Sequence, residues 1–528
     1  MAGTTTGTGA LLRFMLRRER RGLPWWLAGI AFLVGYQSVG SQSLYDTPEK
    51  LARLRQTLGA NPAMLAMSGP EELLATIGGE VVFEIFSYAA VVVALMSMFM
   101  IGRHTRTDEE TGRAELIRSS CVGRHATLVA ALTLAGLANA AVAVVVFAAT
   151  SLTGLPVAGS ALLALALAGV GVTFAGLAAV AAQIFENPRA VYAAVGGALG
   201  LAYLLRAAGD AGTEALSWLS PIGWGQQTLP YVENRWWPLL LPALATAGLV
   251  TLAMTLMERR DFGAGFIRTR PGPAAAARSL GSPLGLAWRL QRGSLIGWTI
   301  GLFVLGAAYG TFANSIEQFI VDNPEVGDFF PGGVETIVDS YLAFSVLFAA
   351  LLATAYGVTS TLRARGEETA GRAEPLLATP TSRWSWLASH VGIAMVGTVV
   401  SLAAAGLGEG LTYAASIDDP GQIPRVMGIA LIYVPAVWAT VAVAVAGFGW
   451  LPRAAAAVAW VVVGFCAFVM IFGDVVDLPG WLTNASPFTH TPQYPREAFA
   501  APPLLALIGA AVVIGAAGFY GFRRRDIG

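Results

Sequence analysis

VVFEIFSYAAVVVALMSMFMI, residues 81–101, is a twenty-one-residue run that carries one charge, Glu84. About 20 predominantly apolar residues cross the hydrocarbon core of a bilayer as a helix. A buried helix of a soluble domain is usually shorter and keeps a polar stripe. Blocks of the same kind recur at Ala126 to Thr150 and Ala454 to Phe472. One such block suits a soluble core; about twelve do not. Composition agrees, with 55% hydrophobic and 12% charged residues and a mean hydropathy of +0.62. Soluble domains carry about 25% charged residues. The chain therefore reads as an all-α membrane protein of about twelve transmembrane helices.

Outward from residues 81–101, the spans fall at 24–42, 81–102, 126–150, 157–183, 190–208 and 238–257 in the first half. In the second half they fall at 295–315, 339–361, 386–412, 425–449, 454–475 and 502–522. Trp25 to Val39 follows basic residues without an A-x-A cleavage site, so it reads as the first span and not as a signal peptide. Cys121 in a loop and Cys466 within a span are unsuited to a disulfide.

Net charge is zero, which gives no pointer to nucleic acid. The placement of charge says more. Arginines cluster at 13–21, 103–124, 259–292, 363–383 and 523–525, and with Arg189 and Arg453 about 26 of the 33 basic residues share one side. The positive-inside rule makes that side cytosolic and puts both termini there, in the cell membrane. The opposite side collects Glu71, Glu72, Glu80, Asp322, Glu325, Asp328, Glu335, Asp418, Asp419 and Asp477.

The halves repeat one another. Glu109-Glu110-Thr111-Gly112-Arg113-Ala114-Glu115 matches Glu367-Glu368-Thr369-Ala370-Gly371-Arg372-Ala373-Glu374 with one inserted alanine. Arg124 matches Arg383, Pro188-Arg189 matches Pro452-Arg453, and Gly209-Asp210 matches Gly473-Asp474. Ser220-Pro221 matches Ser486-Pro487, and Arg259-Arg260-Asp261 matches Arg524-Arg525-Asp526. The expected organisation is a six-helix half at 1–261, a cytosolic linker at 262–283 and a second six-helix half at 284–528, parallel in topology.

Three segments stand outside the spans. In Leu11 to Arg21, Arg13, Arg17, Arg20 and Arg21 share one helical face opposite Leu11, Leu12, Met15 and Leu16, a pattern suited to a helix lying in the lipid interface. Trp288, Arg289 and Arg292 form a shorter counterpart. Each repeated acidic loop reads as a short helix at the cytosolic face. Acids at its start complement the helix dipole, and Leu116-Ile117 or Leu376-Leu377 gives it something to pack. Trp218 to Trp237 and Trp481 to Phe499 are aromatic, Pro-rich and too short and polar to span.

The acidic loops resemble the loop after the second span of ABC-2 type exporter permeases. Gly112, Glu115 and Leu116 carry the likeness in the first copy, and Gly371, Glu374, Leu376 and Leu377 in the second. The fused double arrangement is similar to actinobacterial permeases that export polyketide antibiotics, of the tetronasin-resistance kind. The resemblance implies that Glu109, Glu110, Gly112, Arg113, Glu115 and Leu116, with Glu367, Glu368, Gly371, Arg372, Glu374, Leu376 and Leu377, form two coupling helices. These would dock on two copies of a separate ABC ATPase, which binds ATP and Mg. It also makes the N-terminal segment a connecting helix, and the aromatic segments re-entrant hairpins on the outer side. The cargo class implied is a lipophilic small molecule, its binding residues unknown.

The residues themselves exclude self-sufficient ATP hydrolysis. A P-loop needs a lysine to reach the phosphates, and the one lysine, Lys50, lies in Pro48-Glu49-Lys50-Leu51. His104, His125, His390 and His490 lack metal-ligand spacing, and no catalytic set is recognisable. Glu84, Asp339 and Glu409 sit in or at the edges of spans, near outer ends, and read as solvated or snorkelling carboxylates rather than a proton relay. A proton-driven secondary multidrug transporter is the alternative, since twelve spans in two parallel halves suit it too. A lipid-acting enzyme using Asp322, Glu325, Asp328 or Glu335 is the third reading.

Overall fold

The computed structural model describes residues 4–45, 47–59, 62–119, 121–261, 263–267, 274–322, 333–473, 478–492, 494 and 499–526. Among them the regular elements are helices, with one isolated bridge joining Phe185 and Ile267. Among the described residues ten helices are long and apolar enough to cross a membrane, and Ala455–Met470 is a shorter apolar one. The protein is an all-α, multi-pass membrane protein. Asp322 and Glu335 are described in backbone only, and Glu325 and Asp328 lie outside the described residues.

The chain divides into two compact units, Met1–Gly272 and Pro273–Gly528. In the first, α1 (Thr8–Glu19) precedes α2 (Leu23–Leu44). Then come α3 (Pro48–Leu58), α4 (Pro62–Met67), α5 (Ile77–His104), α6 (Arg106–Glu110) and α7 (Arg113–Arg118). The unit closes with α8 (Ala126–Leu152), α9 (Val157–Ile184), α10 (Pro188–Ala211), α11 (Pro221–Gln226) and α12 (Leu240–Arg259). α2 occupies the expected first span yet falls outside the ten, because Gln37, Ser38, Ser41 and Gln42 dilute its apolar character. Those groups are satisfied locally: the hydroxyls of Ser38 and Thr153 share a hydrogen bond of 2.6 Å, and Gln42 donates to the Ser38 carbonyl.

Small residues let these helices approach without a hydrophobic driving force from water. A Cβ on Gly171 of α9 would lie 1.7 Å from the Asn139 Oδ1 of α8. The Asn139 amide in turn donates to Ser97 of α5 at 3.0 Å. α12 packs on α9 through Pro242 against Gly169 and Leu249 against Gly176, and otherwise exposes Leu240, Leu244 and Leu252 as a lipid-facing side.

The second unit contains α13 (Pro283–Asp322), α14 (Gly333–Thr369), α15 (Ala373–Leu377), α16 (Arg383–Ile417) and α17 (Gln422–Ile432). It continues with α18 (Val434–Trp450), α19 (Ala455–Phe472), α20 (Gly480–Thr483) and α21 (Ala501–Arg524). Gly306 and Gly310 of α13 press on α16, where an added Cβ would meet the carbonyl oxygens of Ala405 and Glu409 at 2.0 and 2.1 Å. Pro435, which lacks an N–H, sits at the break between α17 and α18. α21 lies on α18 where Gly518 meets Gly449, and Trp450 Nε1 donates to the Ala517 carbonyl at 2.8 Å.

Four expectations change. Leu284 to Arg292 is no separate interfacial helix: α13 runs unbroken for 40 residues, whereas α1 and α2 are separated at Arg20–Gly22. Glu409 is no solvated carboxylate. α16 extends five residues past the expected span end, to Ile417, which leaves Glu409 fully buried and accepting from the Ser345 hydroxyl at 2.5 Å. Asp339 is half-buried and paired with Arg425 at 2.6 Å, and Glu80, expected among the outer acids, is buried at the start of α5.

Candidate coupling face

In each unit a long span ends in a glycine turn followed by a short helix. After α5 and α6 the chain turns at Gly112, φ +72°, into α7. After α14 it turns at Gly371, φ +68°, into α15. Both angles lie in the left-handed region that glycine enters without a Cβ penalty. Neither glycine has a neighbour within 4 Å of a would-be Cβ, so backbone conformation alone demands it.

The surrounding charges set the correspondence between the two loops. Arg113 pairs with Asp108 at 3.6 Å, and Arg372 with Glu367 at 3.8 Å. Glu109 grips the Arg260 guanidinium, at 2.7 and 3.3 Å, and Glu368 grips Arg525, at 2.5 and 2.6 Å. Asp108, Glu109, Gly112, Arg113 and Glu115 thus correspond to Glu367, Glu368, Gly371, Arg372 and Glu374 at a constant separation of 259 positions. The inserted alanine expected from the letters is not needed. Aligning Glu109 with Glu367 matched identical residues and missed that Asp108 and Glu367 do the same electrostatic work.

Burial then sorts the expected residues. Glu109 and Glu368 are turned inward, their side chains only 13% and 7% exposed. Glu367 is buried as well. Glu110, Arg113, Glu115 and Leu116 face outward in the first unit, with Leu116 76% exposed despite its size. Arg372 and Glu374 face outward in the second, while Leu376 and Leu377 are half-buried against its core. The result in each unit is a charged face, with an apolar tip at Leu116 in the first, backed by inward acids that tie it to the span ends.

Sequence reasoning did not assign the ties. Arg124 Nη2 donates to the carbonyls of Met257, Glu258 and Arg260 at 3.1, 2.8 and 3.2 Å. Arg383 Nη1 donates to those of Arg523 and Arg525 at 3.2 and 2.7 Å. These carbonyls end α12 and α21, where intrahelical partners run out. The repeat of Arg124 and Arg383, and of the Arg-Arg-Asp ends, was the available signal. In the first unit Arg106 also donates to Glu109 at 2.7 Å and, through Nε, to the Ala182 carbonyl. A cavity of about 210 Å³ opens beside this cluster, lined in part by Thr105, Glu109, Arg124, Gln183 and Arg260.

α1 divides between its faces as its periodicity predicts except at Leu16, which is exposed. Arg13, Arg17, Arg20 and Arg21 are exposed, and Leu11 and Met15 are buried. Two unanticipated ties hold it. Arg18 pairs with Asp108 at 2.7 Å. Glu19, 4% exposed, accepts from Arg103 at 2.9 and 3.1 Å and pairs with His104 at 2.9 Å. Burial alone would raise the Glu19 carboxyl; the His104 hydrogen bond and the Arg103 charge outweigh it and hold it below the usual carboxylate range. In the second unit Trp288 and Arg289 are exposed on α13. Before the last spans, α11 is buried and N-capped by Ser220, and Ser486 likewise accepts from the Phe488 N–H. Among the described residues no three His, Cys, Asp or Glu side chains converge as metal ligands.

Residues 280–523 match the family described as the multidrug efflux system permease Rv1217c, C-terminal domain. The chain is also 39% identical, over 529 residues, to the multidrug efflux system permease protein Rv1217c of Mycobacterium tuberculosis (strain ATCC 25618 / H37Rv). That alignment covers 99% of this chain and 95% of the mycobacterial protein.

Proposed function

The chain belongs to the family of the multidrug efflux system permease Rv1217c and is a transport subunit, and from that premise we propose that it is the membrane subunit of an ATP-driven, ABC-2 type exporter. Its ATPase is a separate chain present in two copies, which supplies ATP and Mg chemistry. The observation that carries this reading is the coupling face: in both units a short helix follows a left-handed glycine, turns one acid outward and clamps another inward. A solvated loop needs no such anchorage. Each face lies at the arginine-rich side of its unit. On this reading that side is the cytosolic face of the cell membrane, both termini included.

The exported compounds are lipophilic, of the multidrug or antibiotic kind. The mycobacterial relative is named for multidrug efflux. A cavity of about 370 Å³ in the first unit is walled by apolar surface of Phe174, Leu177, Trp224 and Leu249, which suits such cargo.

Replacing Glu115 and Glu374 together by Arg tests the assignment. The exposed acids lose their sign while the inward clamps are untouched. The partner ATPase should no longer co-purify, and its stimulation by the permease should vanish. Survival of both would remove the coupling role.

A further inference from the structure

The coupling loop grips the last span of its own unit from both sides. The acid before the short helix, Glu109 or Glu368, holds the arginine just beyond the span, Arg260 or Arg525. The arginine after the short helix, Arg124 or Arg383, holds the span's terminal carbonyls. Both grips occur in both units. The tie to the connecting helix, Arg18 with Asp108, is in contrast seen in the first unit only, among the described residues.

The gripped helices each leave one side uncovered by their own unit. Only Pro242 and Ala253 are fully buried along α12. α21 buries Leu507, Ala511, Gly518, Gly521 and Phe522 and exposes Leu505, Val512 and Val513. α12 rests chiefly on α9, and α21 on α18 with Trp384 and Trp386 of α16 stacked on Phe519 and Phe522, so the grip at each helix end is a separate hold on it. Two parallel N–H···O bonds from a guanidinium to a carboxylate fix direction as well as distance.

We propose that the paired grips Glu109–Arg260 with Arg124, and Glu368–Arg525 with Arg383, transmit the ATPase stroke from each coupling helix to the last span of its own unit. α12 and α21 are then the helices that nucleotide moves first. Glu109, Glu368, Arg260 and Arg525 are positioning residues that act through those spans. This inference rests on the ATP-driven reading.

The test uses the full permease co-purified with its ATPase and reconstituted in vesicles. It reads assembly, ATP hydrolysis and transport of a lipophilic fluorescent dye separately. In the Glu109→Gln, Glu368→Gln variant, assembly should persist and hydrolysis should stay within about twofold, while dye moved per ATP falls at least tenfold. Arg260→Lys with Arg525→Lys keeps the charge and loses the fork, and should show the same split; it also serves if the Gln variant fails to accumulate. A charge exchange is cleanest in the second unit, because Arg106 beside Glu109 would repel an arginine there. Glu368→Arg alone should uncouple, and adding Arg525→Glu should restore part of the dye moved per ATP. The restoration is partial because Arg525 also lies over the Phe448 and Phe522 rings at 4.9 and 5.0 Å. An unchanged ratio of transport to hydrolysis would overturn the proposal. So would loss of assembly and hydrolysis together with transport, which would mark the pairs as structural. Wild-type complexes that show no ATP-coupled transport would overturn the premise itself, which separates the two failures.

Discussion

Replacing Glu19 by Ala should release α1 from the end of α5. The carboxylate is 4% exposed and bonded to two cationic or polar groups of very different accessibility. Arg103 is 46% exposed and regains water when its partner goes, so its share is about 0–1 kcal/mol. His104 is fully buried, and its Nε2 would lose its acceptor, at about 1–3 kcal/mol. The sum is about 1–4 kcal/mol of local stability, and Arg18 still holds Asp108. Amide hydrogen exchange on detergent-solubilised protein reads this directly. Protection over Thr8–Glu19 should fall by roughly 5- to 700-fold, at about 1.4 kcal/mol per tenfold, with α5 unchanged. The sign with pH follows from the lowered carboxyl. Its contribution is complete above the ordinary value of 4.5 and is lost as pH falls through the lower folded value. Wild-type α1 should therefore loosen below about pH 4.5, a step the variant lacks. Equal protection of α1 in the two proteins at neutral pH would refute the account of this anchor.

Gly112→Ala and Gly371→Ala should each cost about 1–2 kcal/mol, because a left-handed alanine is strained although the space is open. Gly306→Ala should cost more, since its Cβ meets a backbone carbonyl of α16; a thermal midpoint no lower than that of Gly112→Ala would contradict the packing. Arg124→Ala should fray the end of α12, with faster amide exchange confined to its last turn and a loss of about 1–2 kcal/mol there. Cys121 is exposed and Cys466 buried, so a membrane-impermeant maleimide should label Cys121 alone, in inside-out vesicles and not in intact cells. Labelling in intact cells would reverse the proposed orientation.

Spans were legible because membrane crossing is a matter of length and apolarity, both readable from 81–101 alone. Their ends were less so. Glu409 was misplaced because α16 continues through Thr412, Tyr413 and Ser416, whose hydroxyls do not stop a helix. The short charged helices after α6 and α14 were legible from acid, glycine and leucine spacing. Their internal division into outward Glu115 and inward Glu109 was not, since both are glutamates within one loop and only the distant Arg260 tells them apart. Glu19 left no sequence signal at all. It sits in a run of arginines where a solvated ion pair is the ordinary expectation, and its partners at 103 and 104 come from another helix.

The central claim is that nucleotide hydrolysis on a partner chain drives transport through this permease. Its most direct measurement is dye accumulation in inside-out vesicles carrying both proteins, with ATP supplied and the proton gradient collapsed by an ionophore. Accumulation should persist under those conditions and cease when ATP is replaced by a non-hydrolysable analogue. Accumulation that stops with the gradient, or continues without the ATPase, would contradict it.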